Sequence, residues 1–395
     1  MGRELVNWSG SVRFSPAQVE SPRDEVELAD AVRRAALQGR RVRVVGALHS
    51  SSRIILCDDV LISTEHLKGV VATDRSVCEA TVRPGTLIGE AGPVLREAGL
   101  AMHTVGDIDS QTVAGAIGTG THGTGRRLAN LATMCIGGRL VTADGSVREF
   151  HERDDPQFVR AVRSSLGVLG IISEARLQLV PAPRLRRREW CCHIDDCLAN
   201  LDELIEDNRN FDFYWYPRRD EVKLRTVNDA DAPPKPLPFA QLLEEQVGWL
   251  DEVIAQDRQL KFEEIEYALP LDAGPACFLE LRERIKARHR REVGWRVLYR
   301  TVAGDDAYLS TAHGRDTAMI SAHHNAGLPY EDYFADIEPI FRAHGGRPHW
   351  AKKHTLSVEE LRPLYPEWER FARIRRELDP RGVFLSDSMR ELLGA

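Results

Sequence analysis

The stretch VRVVGALHSSS, residues 42–52, holds a buried-looking strand that ends at Gly46 and is followed by His49 among serines. A strand that ends in glycine can begin a phosphate-binding turn. The dinucleotide-binding fingerprint, however, requires three spaced glycines, and this turn has one. From spacing alone, His49 is either a hydrogen-bonded residue at the end of a strand or a residue with a special role. The stretch by itself leaves both open.

A second unusual stretch is GTGTHGTG, residues 118–125. Its closely spaced glycines allow backbone N–H groups to converge on an anion, and its threonines add hydroxyl donors. A flexible linker is the alternative, but linkers favour glycine with serine over a histidine among threonines. We therefore predict a diphosphate-binding loop, within a segment, 112–125, that is too rich in glycine for a helix or a strand.

Composition describes an ordinary globular protein. The chain has 395 residues, of which 43% are hydrophobic and 29% charged, and this length favours two domains. A net charge of −7 gives no reason to expect nucleic acid. We find no run near the roughly 18 apolar residues of a membrane span. The seven cysteines form no C-x-x-C pair and read as reduced thiols. The chain is therefore predicted to be cytoplasmic, without a nucleic acid or membrane partner.

Hydrophobic periodicity predicts mixed α and β structure throughout. The predicted elements are helices at 21–39, 87–101 and 281–294, strands at 41–46, 60–64, 78–86, 168–182, 211–217 and 295–303, and a hairpin at 138–150. Ser21 is the expected cap of the first helix. Prolines near residue 182 mark a domain boundary, after which the pattern of residue types changes.

Four motifs, in this order, resemble the vanillyl-alcohol-oxidase type of FAD-binding flavoprotein, and most closely its aldonolactone and alditol oxidase branch, which includes the gulonolactone oxidases. They are VRVVGALHSSS, GDIDSQTVAGAIGTGTHGTG (106–125), SLGVLGIISEARLQLVP (165–181) and GRPHWAKKHT (346–355). The resemblance implies an α+β, two-domain FAD-binding (PCMH-type) fold with an α+β substrate cap. The expected divisions are an FAD domain at 1–182, the cap at 183–354, and a segment at 355–395 that returns to the FAD domain.

The resemblance also implies FAD joined covalently to His49 through the flavin 8α-methyl. A second, cysteinyl link is not expected, because GDIDSQ contains no cysteine. Besides His49, the implied cofactor-binding residues are Val45, Gly46, Ala47, Leu48, Ser50, Ser51, Gly106, Asp107, Thr112, Gly115, Thr119, Gly120, Thr121, His122, Gly123 and Ile172.

By the same resemblance, Lys352 and Arg300 are the catalytic residues, and the substrate also contacts Asp107, Leu298 and His324. The family usually has a glutamate where this chain has Leu298, and a glycine where it has Ala351. Strand alternation places Leu298 and Arg300 on one face. Since leucine accepts no hydrogen bond, either another acceptor compensates or the substrate is less hydroxylated.

The implied reaction is oxidation of a CH–OH group of a small sugar, polyol or aldonolactone, with hydride transfer to flavin N5. Gly106 leaves room beside the flavin where alanine is associated with dehydrogenases, so the electrons are expected to reach O2 and give H2O2. One alternative is a tailoring oxidase or dehydrogenase that acts on a less polar natural product. Another is a flavin-binding protein without catalysis.

The histidines near the C-terminal motif are candidate metal ligands if they converge: His344, His349 and His354, with His323 and His324. Because His349 and His354 already belong to the family stretch, no metal is predicted.

Overall fold

The computed structural model describes residues 4–254 and 260–395. The N-terminal part builds small sheets and short helices. Its strands are Leu5–Val6, Arg13–Phe14, Gln18–Glu20, Val42–Val45, Val60–Ser63, Val70–Asp74, Glu79–Val82, Leu100–Ala101, Cys135–Val141, Val147–His151, Ile171–Gln178 and Val180–Pro181. Its α-helices are Glu25–Leu37, Ile88–Glu97, Val113–Thr119 and Pro156–Val162.

The strand of the opening motif, Val42–Val45, is an edge strand of a parallel sheet with Val60–Ser63 and Gln18–Glu20. Helix Glu25–Leu37 buries an alanine-rich face that also contains Leu28 and Val32 against this sheet. It begins at Glu25 because the Asp24 carboxylate accepts the backbone N–H of Glu27 at 2.8 Å. The expected cap, Ser21, instead donates its hydroxyl to Glu65.

The glycine-rich segment contains a helix, Val113–Thr119, so the prediction of an irregular segment is wrong. Thr112 begins the helix by accepting the Gly115 N–H through its hydroxyl, and Gly120 ends it with a φ of +67°. Glycine lowers helix propensity, but the apolar side of this helix is buried, and packing outweighs propensity in so short a segment.

The middle of the chain forms one large antiparallel sheet, eight-stranded among the described residues. We call it the cap sheet. In spatial order its strands are Gln241–Trp249, Arg184–His193, Glu221–Asp229, Asn210–Tyr216, Val297–Val302, Thr317–Asn325, Phe262–Pro270 and Arg347–Pro348. The helices of this part are Ile194–Ala199, Leu201–Asp207, Leu250–Val253, Gly274–Arg288 and Glu331–Ala343.

Alternation along strand Asn210–Tyr216 separates the two faces of the cap sheet. Phe213 and Trp215 pack against Phe278 of helix Gly274–Arg288, with ring centroids 5.1 and 5.7 Å apart. Tyr214 points to the opposite face and lines a pocket. One face therefore completes the hydrophobic core, and the other presents polar side chains toward the N-terminal part.

The last segment contains helices Val358–Leu361, Trp368–Leu378 and Asp387–Leu393. The Val383 carbonyl accepts the Val42 N–H at 2.7 Å, and Phe384 packs in the cluster that covers the parallel sheet. These contacts agree with a segment that returns to the N-terminal part. The divisions at residues 182 and 354 stay predictions. Among the described residues, no helix is long and apolar enough to cross a membrane.

Candidate active site

A long cleft lies along the edge strand of the opening motif. It is lined by the turn after that strand, by helix Val113–Thr119 and by residues 165–172. Of the predicted cofactor-binding residues, those that line it are Val45, Gly46, Ala47, Leu48, His49, Ser50, Thr112, Gly115, Thr119 and Ile172. Gly46 is required here because a Cβ at this position would lie 2.0 Å from the Thr112 hydroxyl.

The cleft contains a buried positive charge that sequence reasoning missed. Arg43 is 5% exposed, and one guanidinium nitrogen donates to the Leu166 carbonyl at 2.7 Å. Its Nε has no hydrogen-bond partner, and among the described residues no carboxylate forms an ion pair with it. Burial lowers the pKa of Arg43 to about 10. A buried cation is costly without a counter-charge, so the cleft fits an anionic ligand such as a dinucleotide diphosphate.

His49 stands where this cleft meets a second pocket, and it lines both. Leu48, with a φ of +55°, turns the chain so that the imidazole faces this junction. The imidazole Nε2 lies 2.9 Å from the Ser110 hydroxyl, and the ring stacks on Trp8 at 5.5 Å. Burial, reinforced by the nearby Lys352 ammonium, lowers the pKa of His49 to about 4. The imidazole is therefore neutral at neutral pH.

Three of the predicted cofactor-binding residues do not line the cleft and instead stabilise the backbone around it. Ser51 donates its N–H to the Ala351 carbonyl at 2.8 Å, which ties the His49 turn to the HWAKK segment. Gly120 ends a helix, and a Cβ at Gly123 would lie 2.3 Å from the Thr104 hydroxyl. The remaining members, Gly106, Asp107, Thr121 and His122, line the second pocket.

This second pocket, which we call the substrate pocket, joins the cap sheet to the cofactor cleft. It brings together Lys352, Arg300 and Leu298 beside His49, as the sequence predicted from motifs far apart in the chain. Leu298 and Arg300 line the same pocket, which agrees with the expected strand alternation.

Two glutamates on strand Phe262–Pro270 hold the two cations that are predicted to be catalytic, Lys352 and Arg300. Glu264 forms an ion pair with Lys352, and its other oxygen lies 3.3 Å from His323 Nε2. Glu266 forms an ion pair with Arg300 and lies 3.5 Å from His122 Nε2. Burial opposes ionisation of Glu264, but Lys352 and His323 together hold its pKa well below its usual range.

These carboxylates bear on the question that Leu298 raised. A hydrogen-bond acceptor is present, but it comes from a strand that is separated from Arg300 by Thr317–Asn325. Sequence reasoning missed the pair because FEEIEYALP, residues 262–270, matches none of the four family motifs. The signal available was the spacing of Glu264 and Glu266, two residues apart on a strand, which places both on one face.

The predicted substrate contact of His324 needs correction. Strand alternation turns His323 into the substrate pocket, beside Glu264, and turns His324 to the opposite face. The His324 ring there lies 6.1 Å from the ring of Tyr333, on helix Glu331–Ala343. The neighbouring histidine, His323, occupies the position that the sequence assigned to His324.

Asp107 is held at the edge of the substrate pocket by two donors. The Tyr214 hydroxyl donates to one carboxylate oxygen at 2.6 Å, and Arg225 donates to the other at 2.9 Å. Arg225 also binds Asp212 through two nitrogens, each at 2.7 Å. The carboxylate of Asp107 is thus fixed by the cap sheet.

His122, Glu266 and His349 bring possible metal-ligating atoms within 4.8 Å of one another. His349 Nδ1 accepts the Ala351 N–H at 3.1 Å, so the proton of the neutral ring is on Nε2, which then has no lone pair for a metal. Burial lowers the pKa of His349 to about 3, which keeps it neutral, and Glu266 is already paired with Arg300. We therefore do not assign a metal to these three residues.

Comparison with known proteins gives two family matches. The profile described as D-arabinono-1,4-lactone oxidase matches residues 175–250 and 239–392, and the profile described as FAD binding domain matches residues 16–151.

Similar curated proteins span nearly the whole chain. An L-gulono-1,4-lactone dehydrogenase of Mycobacterium tuberculosis is 36% identical, with 98% of each chain covered. An alditol oxidase of Streptomyces is 31% identical, with 100% of each covered. An L-gulonolactone oxidase of Bos taurus is 28% identical over 98% of this chain and 97% of its own.

Solved structures share the fold at low sequence identity. A cholesterol oxidase from B. sterolicum superposes with a TM-score of 0.87 at 16% identity, covering 100% of this chain and 97% of that one. A xylooligosaccharide oxidase from Myceliophthora thermophila gives 0.80 at 17% identity, covering 96% and 92%. The predicted two-domain FAD-binding fold is therefore confirmed.

Proposed function

The chain belongs to the aldonolactone and alditol oxidase branch of the vanillyl-alcohol-oxidase-type FAD flavoproteins, and on this basis we propose that it oxidises a CH–OH group of a sugar-like lactone or polyol. It is an FAD-dependent oxidoreductase that acts on a small molecule. The observation that carries the proposal is the substrate pocket, where two glutamate-held cations face the junction with the cofactor cleft.

The bound flavin would accept a hydride from the alcohol carbon, so that CH–OH becomes C=O, and would pass the two electrons to an acceptor. Lys352 and Arg300 would orient the substrate hydroxyl by donating to its oxygen, and Glu264 and Glu266 would keep both donors in place. His122 donates through Nδ1 to the Gly123 carbonyl at 2.9 Å, which leaves Nε2 as an acceptor for the hydroxyl proton in the pocket wall.

Covalent attachment of the flavin to His49 is part of the proposal. Attachment needs an imidazole that is neutral and placed beside the ring. Two observations support His49 for this role: its pKa is lowered to about 4, and it lines both the cleft and the substrate pocket.

We propose O2 as the electron acceptor, with H2O2 as the product. The names of the relatives do not decide this point, since both dehydrogenases and oxidases are among them. Gly106 supports oxygen access because it lines the substrate pocket, and a Cβ there would make ordinary contacts, at 3.4 Å to Thr121 and 3.6 Å to the His122 carbonyl. The glycine thus leaves a methyl-sized space in the wall of the substrate pocket.

A less polar substrate is the second candidate. Leu298 is 3% exposed and lines the substrate pocket near Phe262 and Tyr214, which gives one wall an apolar character. The family match favours the sugar-like substrate over this alternative. The intact ion pairs of Lys352 and Arg300 argue against a flavin-binding protein without catalysis.

The test is anaerobic reduction of the FAD-loaded protein. Aldonolactones and alditols should bleach the yellow flavin absorbance, and readmission of air should restore it with one H2O2 for each substrate oxidised. A protein that takes up FAD but is bleached by none of these compounds would contradict the proposed substrate class. Bleaching without reoxidation by air would contradict only the proposal that O2 is the electron acceptor.

Arg43 should govern cofactor affinity. Starting from a His49→Ala protein, in which FAD can exchange, Arg43→Gln should raise the Kd for FAD by about tenfold to a hundredfold, because a charge-assisted contact is lost. Fluorescence titration of the apoprotein measures this. Arg23→Gln, which removes the same charge from an exposed position, serves as control. An unchanged Kd would show that Arg43 does not contact the cofactor.

A further inference from the structure

The substrate pocket contains a third cation, Arg296, immediately before strand Val297–Val302. Its guanidinium carbon lies 4.1 Å from the ring centroid of Tyr214 and 5.4 Å from that of Trp295. Stacking on two aromatic rings holds a planar guanidinium in a defined position without neutralising its charge. Arg296 is therefore presented to the pocket as an ordered donor.

The other cations around this pocket are neutralised by carboxylates. Lys352 pairs with Glu264, and Arg300 pairs with Glu266. Arg225, behind Asp107, binds two aspartates.

Arg296 differs from them. Across residues 4–254 and 260–395, no carboxylate lies within ion-pair distance of its guanidinium. Its Nε atom is buried and has no hydrogen-bond partner. Leu298, which follows Arg296 by two residues and lines the same pocket, is uncharged and cannot form an ion pair with it. A buried donor without a partner costs stability unless a ligand supplies the acceptor.

We propose that Arg296 binds a carboxylate of the substrate, so that this enzyme acts on polyhydroxy acids of the aldonate class as well as, or in preference to, their neutral lactones. The inference rests on the proposed function. One unpaired guanidinium supplies a planar fork that matches one carboxylate through two parallel N–H···O bonds. A phosphate dianion would require further donors, and the remaining cations of the pocket are already paired.

The experiment compares three substrates of which only one carries a carboxylate. The probes are an aldonate, its 1,4-lactone and the corresponding alditol, which share one carbon skeleton. Anaerobic bleaching of the flavin at increasing concentrations gives the limiting rate and the half-saturating concentration for each. We expect the half-saturating concentration of the aldonate to be the lowest, and to rise with ionic strength while that of the alditol stays constant.

Variants of Arg296 separate a loss of carboxylate recognition from a general loss of activity or folding. Arg296→Gln should weaken aldonate saturation about tenfold or more, and change that of the alditol less than twofold. Arg296→Lys keeps the charge without the fork and should lose part of the preference. Arg291→Gln, an exposed change on the same segment, should behave as wild type. Melting temperatures establish that each variant is folded. If Arg296→Gln does not fold, Arg296→Lys provides the test in its place.

The outcomes distinguish this inference from the function on which it rests. If the lactone and alditol reduce the flavin but the aldonate does not, or if Arg296→Gln affects all three equally, the inference is wrong and the proposed function stands. If none of the three reduces the flavin, both fail together. A phosphorylated sugar that saturates at lower concentration than the aldonate would overturn the choice of carboxylate.

Discussion

The His49→Ala protein should release all of its flavin when it is precipitated with acid, whereas the wild-type pellet should stay yellow. Acid unfolds the chain and frees any cofactor that only contacts hold, so colour in the pellet reports a covalent bond. His49 is the expected attachment point because its neutral imidazole lies at the junction of the cleft and the substrate pocket. The change is all or none, which makes it the clearest test of the site.

The control is His66→Ala, which removes an exposed histidine and should leave the pellet yellow. A second readout is the fluorescence of the flavin band after denaturing electrophoresis. If the wild-type flavin is wholly released by acid, His49 is a neighbour of the ring and the attachment is wrong. FAD binding, family and fold would be unaffected, because they rest on other observations.

Lys352→Met should slow reduction of the flavin by substrate by about a hundredfold to a thousandfold, the usual effect of removing one charged donor at a reacting oxygen. The Lys352 side chain is 24% exposed, compared with 8% for Arg300, so Lys352 is the cation that a ligand reaches most directly. Stopped-flow bleaching under anaerobic conditions measures this step apart from reoxidation. FAD content should be unchanged.

The same variant leaves Glu264 buried without its main counter-charge, which costs stability as well as activity. The double variant Lys352→Met with Glu264→Gln removes that unpaired charge. It should recover melting temperature but not the rate of bleaching. Recovery of both would mean that the single variant was slow only because it was misfolded.

Lys353→Met is the matched control for Lys352. The adjacent lysine turns away from the substrate pocket, toward Glu263 at 3.4 Å and the Ser11 hydroxyl at 3.1 Å. Bleaching should therefore be close to that of wild type. Wild-type rates in Lys352→Met would remove Lys352 from the chemistry and leave Arg300 as the donor to examine.

Several features could be predicted because each depends on neighbouring residues. The opening motif predicted a strand and a turn that presents His49, and both are present. The alternation of Leu298 and Arg300 followed from the two-residue period of a strand. One local prediction failed: glycines suggested an irregular segment, but burial of its apolar side makes residues 113–119 helical.

Other features could not be predicted, because they depend on partners distant in the chain. Glu264 meets Lys352 across 88 positions, and Glu266 meets Arg300 across 34. The residues next to Arg43 and Arg296 in the sequence do not indicate that either arginine lacks a carboxylate partner. Whether an arginine forms an ion pair depends on side chains from other parts of the chain, which only the folded structure brings near. Whether His323 or His324 faces the substrate pocket depends on the register of strand Thr317–Asn325. A shift of one residue would turn the other histidine toward the pocket.

By itself, then, the sequence determined the family, the FAD-binding fold and the order of its motifs, because these are carried by local spacing and residue type. Tertiary structure alone decided which charges meet. Among the residues that the structure describes, it placed Glu264 beside Lys352 and Glu266 beside Arg300, and it left Arg43 and Arg296 without a carboxylate partner, one in each cavity. The physical reason is that the free energy of a buried charge depends on the whole set of groups around it, and only folding assembles that set.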